Sequence, residues 1–583
     1  MAEWILKNTQ VNLELMSKTL GTSKIISKII SNRNMVTKKT AIRFLNSDTK
    51  YFCNNKDFLN INNAIKTLLE YKDKKIVIYG DYDVDGVMST TILYKGLYSI
   101  FKNLVYYIPH REKDGYGLNI KLIKKFKNKN IDLILCCDNG ISAIEEVELA
   151  NELGMEVIIL DHHEPVIKDN MEILPNAIIV NPKQSNCTYP FKELCAAGIC
   201  YKFILELYIH LNIEIEKTFH DELLIFAAIG TLCDVVNLKD ENRIIVKKGL
   251  NLLQNPIKNF GLMTLVKEKE LLNINEESIG FVIGPCINAA GRLDTAMLAA
   301  SIFISEDKEY IEKATKKVVE LNEERKKLTK NAIDNIANEI YKDDNVIVIY
   351  KQDIHESIAG IVAGRIKDKI YKPTIIITKG EKFAKGSGRS VEGYNLYENL
   401  SKYRHLFYRF GGHEMAAGLS MDESKIEELK ISLNNDFKNL DIELKQILEI
   451  DANINLDMAT YNFVKEIDVL RPFGKGNNAP LFLTKNVRTE SLNLKSEKNT
   501  LIFDFLTESE RRIKGICFNK IEKFVDLINN NYNSYEANKI LGGILRTANL
   551  KLDIVYSIEF NNYRGLTSVQ LNIVDFDIGR FRD

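Results

Sequence analysis

Ile76-Val77-Ile78-Tyr79-Gly80-Asp81-Tyr82-Asp83-Val84-Asp85-Gly86 is the stretch whose reading decides the fold. Its first half is a continuous apolar run, as a strand buried on both faces requires. Its second half places three carboxylates in the loop that follows. The pattern recurs twice: Leu133-Ile134-Leu135 leads to Cys137-Asp138-Asn139-Gly140, and Val157-Ile158-Ile159-Leu160 leads to Asp161-His162-His163. In a parallel α/β sheet ligands bind beyond the carboxyl ends of the strands. Carboxylates and imidazoles converging there, with little basic charge among them, repel one another. A divalent metal pair resolves that conflict.

Simpler readings exist for each piece. An Asp-rich turn can be a calcium loop, but an EF-hand needs Glu at its twelfth position, and the residue there is Ile92. A single His is usually a hydrogen-bonded core residue; two adjacent His after an Asp at a strand end are harder to explain by packing. Asp234, in Gly230-Thr231-Leu232-Cys233-Asp234-Val235-Val236, reads on its own as a helix cap.

Outward from this centre the chain divides. At 583 residues it is too long for one core. A helical, polar lead-in occupies 1–60. Strands expected at 75–80, 104–108, 132–137, 156–160 and 177–180 alternate with helices through 61–305, the rhythm of a parallel sheet. Ile311, Ala314, Val318, Leu321, Leu328, Ala332, Ile336 and Ile340 recur at helical spacing in a connector over 306–341. A smaller α/β unit spans 342–445, with strands at Val346-Ile347-Val348-Ile349 and Thr374-Ile375-Ile376-Ile377. Short strands over 446–565 predict a small β-barrel, leaving 566–583 as a tail.

Composition sets the outer bounds. Lys plus Arg equals Asp plus Glu, at 79 each, so global charge does not announce a nucleic-acid partner. The nine Cys form no Cys-x-x-Cys pair, which favours reduced, mostly buried thiols over a zinc site. Met1 to Asn12 lacks the order of a signal peptide, and the longest apolar stretch, Leu223 to Cys233, is too short to span a bilayer. A cytoplasmic protein without membrane association is expected.

Taken together, the motifs resemble those of the DHH phosphoesterase family, and within it the single-strand-specific exonucleases. Asp81 to Gly86, Asp114-Gly115-Tyr116-Gly117-Leu118, Asp138-Asn139-Gly140 and Asp161-His162-His163 match the first four family motifs in order. Leu194-Cys195-Ala196-Ala197-Gly198, Ile229 to Leu238 and Ile287-Asn288-Ala289-Ala290-Gly291-Arg292 resemble the remaining three. Lys385-Gly386-Ser387-Gly388-Arg389-Ser390 and Gly411-Gly412-His413-Glu414-Met415-Ala416-Ala417-Gly418 resemble the DHHA1 domain. Pro472-Phe473-Gly474-Lys475-Gly476-Asn477 resembles the start of an OB-fold region. Two positions depart from the family: Ile354 stands where a Trp is usual, and Ser357 where a Gly is usual.

The resemblance implies an α/β protein in which a parallel-sheet DHH domain is joined by a long helix to a smaller α/β DHHA1 domain, followed by an OB-like barrel. It implies two divalent ions, Mn²⁺ or Mg²⁺, one held by Asp81, Asp83 and Asp138, the other by Asp85, Asp138, His162 and Asp234. His163 would face the scissile phosphate, while Arg111 and Arg292 would contact phosphates. Ser387, Arg389, Gly412 and His413 would hold the 5′ end. Arg471, Lys475, Phe473 and Phe518 on the barrel are candidates for a strand track, although core placement suits Phe518 better. The implied activity is 5′→3′ hydrolysis of single-stranded DNA to 5′-mononucleotides by a monomer serving repair and recombination. Single-strand-binding protein and a RecQ-type helicase are the implied partners. A small-substrate phosphodiesterase for short oligonucleotides or cyclic dinucleotides would not need the barrel. A non-catalytic nucleic-acid scaffold would have lost the ligands that this chain retains.

Overall fold

The structure, a computed structural model, describes residues 2–336, 344–440, 442–543, 550–563 and 565–579. The chain forms two compact units, Thr49–Gln446 and a discontinuous one made of Met1–Asp48 with Ile447–Asp583.

Within Thr49–Gln446 the first sheet has five parallel strands. In spatial order they are Asn103–Tyr107, Lys75–Tyr79, Leu133–Cys137, Glu156–Leu160 and Ile178–Val180. The order reverses between the Lys75–Tyr79 and Leu133–Cys137 strands, so a crevice opens at their carboxyl ends. Those two strands feed Asp81, Asp83 and Asp85 on one side and Asp138 on the other. Apolar residues cover both faces of the sheet. Ile76, Ile78, Leu133 and Leu135 face one set of helices, while Val77, Tyr79, Ile134 and Cys136 face the other. This two-sided burial is why the strands read as unbroken apolar runs. A short hairpin, Val166–Lys168 with Met171–Ile173, has only three residues per strand and escaped the sequence reading.

Helices follow from Ala196 to Ile304, and then the connector, Lys308–Ile336. It buries Ile311, Ala314, Val318, Leu321, Ala332 and Ile336, the expected stripe. The rest of the expected helix, 337–341 with Ile340, lies outside the described residues. The second sheet is mixed, in the order Phe407–His413, Ala416–Met421, Ala384–Arg389, Thr374–Thr378, Ile347–Lys351. The Glu356–Ile370 and Ile426–Lys438 helices cover its two faces.

The lead-in is not a free-standing segment. Its Glu3–Leu6 strand pairs in parallel with Ile447–Ile450. Met16, Ile26, Ile29, Ile30, Ala41 and Phe44 share one core with barrel residues such as Phe482, Phe503 and Ile554. Most of the expected tail is also placed: Leu566–Asp577 is a barrel strand, paired with both Lys551–Tyr563 and Arg512–Phe518. The barrel closes where Phe482–Lys495 meets Lys551–Tyr563. Phe518 is a further correction. The Arg512–Phe518 strand alternates, Ile513, Gly515 and Cys517 point inward, and Phe518 is therefore 55% exposed. Phe473 instead packs against the barrel core, with the Arg471 guanidinium 4.8 Å from its ring centre.

All nine Cys are free thiols, Cys53 and Cys233 half-buried and the other seven buried. Among the described residues no helix is long and apolar enough to cross a membrane.

Candidate metal centre and phosphate pocket

Each acidic side chain at the crevice is held by local backbone. Asp83 is the N-cap of the Val84–Tyr98 helix and accepts from Gly86 N at 3.0 Å. Asp85, in the first turn of that helix, points at the start of a second helix, Ala196–His210. Its carboxylate accepts from Ala196 N at 2.7 Å and Ala197 N at 3.0 Å. The Leu194 to Gly198 motif is thus a helix N-terminus aimed at an anion. A side chain on Gly230 would stand 2.7 Å from Asp85 Oδ1, which explains that glycine in the sixth motif. Asp138 adopts φ +63 directly after its strand, with its N–H bonded to Leu160 O at 3.1 Å. Asp234 is the C-cap of the Lys217–Cys233 helix, so the simple reading of it as a cap also holds.

These residues meet. Three overlapping donor groups have their ligand atoms within 4.8 Å of one another: Asp81, Asp83 and Asp138; Asp85, His162 and Asp234; Asp138, His162 and His163. Asp138 and His162 are shared, with His162 Nε2 3.2 Å from Asp138 Oδ1 and 3.9 Å from Asp85 Oδ2. His162 Nδ1 is 3.7 Å from Asp234 Oδ2.

Electrostatics show what the cluster lacks. Burial and the neighbouring carboxylates push Asp81 and Asp138 well above the usual range. Burial, then Asp83, raises Asp85 to about 7; burial, then Asp85, raises Asp234 to about 8. Burial and the charge of His163 push His162 down to about 3, leaving it neutral, the form that ligates metal. Asp81 Oδ1, Asp138 Oδ1 and Asp234 Oδ2 are buried with no hydrogen-bond partner. Buried oxygens of this kind need compensation. A pair of hard divalent cations supplies it, and the mixed carboxylate and imidazole set suits Mn²⁺ or Mg²⁺.

Asp161 belongs to none of the donor groups. It accepts from His162 N at 2.7 Å, from His163 Nδ1 at 2.7 Å and from Ile141 N at 3.0 Å. Burial alone would lower His163, but the Asp161 hydrogen bond and charge prevail and raise it to about 9. His163 is therefore a cation beside the cluster. Sequence reasoning quoted Asp161 without giving it this orienting task; its place two residues before His163 was the available signal.

The phosphate candidates divide. Arg111 lies over the Tyr82 ring at 5.0 Å. Arg292 donates from Nη1 to Ser357 O at 2.7 Å, tying the Gly284–Leu293 helix to the start of the Glu356–Ile370 helix. Burial, then Arg111, lowers the pKa of both Arg292 and Arg389, so the three guanidiniums crowd one another. Among the described residues none of the three is ion-paired to a carboxylate. Arg389 and His413 are not in loops, as their glycine neighbours suggested. They end the Ala384–Arg389 and Phe407–His413 strands, and both are in register with Ala416 between them. Arg389 Nη1 bonds Gly388 O at 2.7 Å and Ser387 Oγ at 3.3 Å, and a side chain on Gly360 would meet its Nη2 at 2.9 Å. Gly412, at φ +149, lies where a side chain would strike Ala416 O. The two departures are also accounted for. Ile354 fills the core beneath the Glu356–Ile370 helix, and buried Ser357 bonds His355 Nδ1 at 2.7 Å.

Three family models match consecutive parts of the chain: the DHH family N-terminal domain over 75–231, the DHHA1 domain over 343–439 and the RecJ OB domain over 450–575. Fold and donor set together define a DHH protein. A single-stranded-DNA-specific exonuclease RecJ of Haemophilus influenzae is 30% identical over 558 residues, covering 91% of this chain and 93% of that one. The Bacillus subtilis protein of the same name is 33% identical over 524 residues, covering 88% of this chain and 65% of its own length. The chain belongs to the RecJ family. The crystal structure of Thermus thermophilus RecJ with Mn²⁺ has the same fold, with a TM-score of 0.80 at 22% identity over 98% of this chain and 79% of that one. A manganese-bound exonuclease RecJ is 28% identical, with a TM-score of 0.58 over 66% of this chain and 98% of that one.

Proposed function

We propose that this chain is a divalent-metal-dependent exonuclease that digests single-stranded DNA from its 5′ end to 5′-mononucleotides. The observation that carries this reading is the set of buried oxygens without a hydrogen-bond partner on Asp81, Asp138 and Asp234, the last two beside a neutral His162, at the reversal of the sheet. Asp81, Asp83 and Asp138 would hold one ion; Asp85, Asp138, His162 and Asp234 the other. Such a pair supplies hydroxide at neutral pH and charge stabilisation for an in-line displacement at phosphorus. Asp138 would contribute to both ion sites. Asp161 keeps His163 protonated and aimed, so that His163 can donate to a non-bridging oxygen of the scissile phosphate. Arg292 and Arg111 balance the charge of the neighbouring phosphates.

Ser387, Arg389, Gly412 and His413 would form the terminal pocket. A 5′-phosphate carries more charge than an internal phosphate, and a guanidinium binds it bidentately. Names of the relatives in the RecJ family, and the manganese in the structure at 28% identity, support both substrate and metal. The barrel is the module for longer strands, consistent with exposed Phe518 and basic Arg471 and Lys475. A cytoplasmic place in DNA repair and recombination, alongside single-strand-binding protein and a RecQ-type helicase, fits this activity. The test is the purified chain with Mn²⁺ on single-stranded DNA labelled at either end. Mononucleotides released first from the 5′ end are expected; release from the 3′ end overturns the polarity.

A further inference from the structure

His355 stands where the start of the Glu356–Ile370 helix meets the DHH domain. It is the N-cap of that helix, and its Nδ1 accepts from Ser357 N at 3.3 Å. An imidazole nitrogen that accepts from an N–H carries no proton of its own. The Ser357 hydroxyl, 2.7 Å from the same nitrogen, reinforces this form. The ring proton is therefore on Nε2, which faces Glu112 Oε1 of the DHH domain at 3.5 Å. Ser357 is one of the two departures from the family, so the hydroxyl donor is a feature of this chain.

The contact with Glu112 is loose. At 3.5 Å it exceeds an ordinary hydrogen bond, and the His355 and Glu112 side chains are 43% and 36% exposed. The Glu112 backbone, by contrast, is pinned, its N–H bonded to His110 Nδ1 at 3.2 Å. The surroundings are cationic. Arg111 precedes Glu112 in the chain, and Arg292 reaches Ser357 O, two residues from His355. Lys385 is already held by Glu356 at 2.7 Å. A carboxylate lying loosely on a fixed donor, among guanidiniums, occupies a place that suits a phosphate oxygen equally well.

Under the exonuclease reading, on which this inference rests, the strand brings phosphates to Arg111 and Arg292. We propose that His355 is a further strand-phosphate contact of the crevice, that Ser357 fixes its donor tautomer, and that Glu112 holds its place until a phosphate displaces the carboxylate. The Nε2–H passes from one acceptor to another, and no proton is transferred.

The test is binding of a 5′-phosphorylated single strand to the full chain, by fluorescence anisotropy in EDTA, where nothing is hydrolysed. His355→Phe weakens binding about ten- to a hundredfold, the loss of a hydrogen bond to a charged group. His355→Asn keeps a capping side chain but lacks the reach, and is as weak. Glu112→Ala strengthens binding about two- to fivefold, and has no effect once His355 is Phe. Ser357→Ala weakens binding about two- to tenfold, again only while His355 is present. In ¹⁵N spectra of the histidine rings, the Nε2–H form of His355 dominates in wild type and loses share in Ser357→Ala. Wild-type affinity in His355→Phe or His355→Asn overturns the contact. A gain from Glu112→Ala that persists without His355 makes Glu112 a general repulsive charge and overturns its place-holding. An unchanged tautomer in Ser357→Ala overturns the positioning by Ser357. Wild type that binds the strand but does not digest it with Mn²⁺ overturns the exonuclease reading, and the couplings still decide on His355. Wild type that binds no strand overturns both.

Discussion

Asp138 shows how much one residue can concentrate. Its carboxylate lies in two of the three donor groups, and its Oδ1 is buried with no hydrogen-bond partner. Asp138→Ala should reduce hydrolysis by at least about a thousandfold, the several kcal/mol that a metal pair supplies, with the circular dichroism spectrum unchanged. Near-normal turnover at saturating Mn²⁺ would sink the shared-ligand assignment. Arg389 gives a more selective prediction. Arg389→Ala should slow digestion of 5′-phosphorylated strands about ten- to a hundredfold and 5′-hydroxyl strands much less. Equal losses on both would make it a general strand contact. The raised carboxyls predict a pH effect of definite sign. Asp85 and Asp234 keep their protons to about 7 and about 8 in the folded chain, whereas the unfolded chain releases them near about 4. Between those limits the folded state binds more protons, so stability of the metal-free protein falls as pH rises and is regained as pH falls. Melting temperature in EDTA should therefore drop between roughly pH 4 and 8, and Mg²⁺ should flatten the slope. A metal-free profile that rises with pH contradicts the assigned protonation.

At the scale of elements, helix ends do much of the positioning. The Ala196–His210 helix presents Ala196 N and Ala197 N to Asp85, and the Lys217–Cys233 helix passes Gly230 so close that no side chain fits. Gly230→Ala would crowd both Asp85 Oδ1 and the Ala197 side chain, which stands 2.6 Å from the added carbon. The expected cost is about 1–3 kcal/mol, read as a lower melting temperature, with weaker Mn²⁺ binding by calorimetry. Unchanged values for both would mean that the two helices separate freely. The parallel strands were legible because burial on both faces leaves an unbroken apolar run. The carboxylates were legible because they follow those runs directly. Phe518 was not, because an aromatic at the end of an alternating strand has the same composition whether it faces in or out, and only the register with Ile513 and Cys517 decides. Arg389 and His413 looked like loop residues because glycine signals a turn, whereas here Gly386, Gly388 and Gly412 let Leu419, Leu396 and the Ala416–Met421 strand approach closely.

For the whole molecule, the division into units redefines the useful truncation. Ending the chain near Gln446 would strip Met16, Ile26, Ile29, Ile30 and Phe44 of the barrel that covers them. A protein of residues 49–446 removes the complete second unit instead. It should still digest short strands, yet bind long ones more weakly and with a shallower dependence on salt, since fewer phosphates are neutralised. Identical binding across a salt series would assign the barrel another task. The lead-in was the least legible part of the chain. Its helices are amphipathic, and their partner lies far away in sequence, so no local pattern could reveal it. That separation has a consequence for synthesis. The Glu3–Leu6 strand leaves the ribosome long before its partner Ile447–Ile450, which follows only after roughly 440 residues, some 20–90 s at ordinary elongation rates. Throughout that interval the nascent lead-in carries an uncovered apolar stripe while the catalytic unit can already fold. The order of translation thus makes the metal-binding crevice older than the barrel in each molecule.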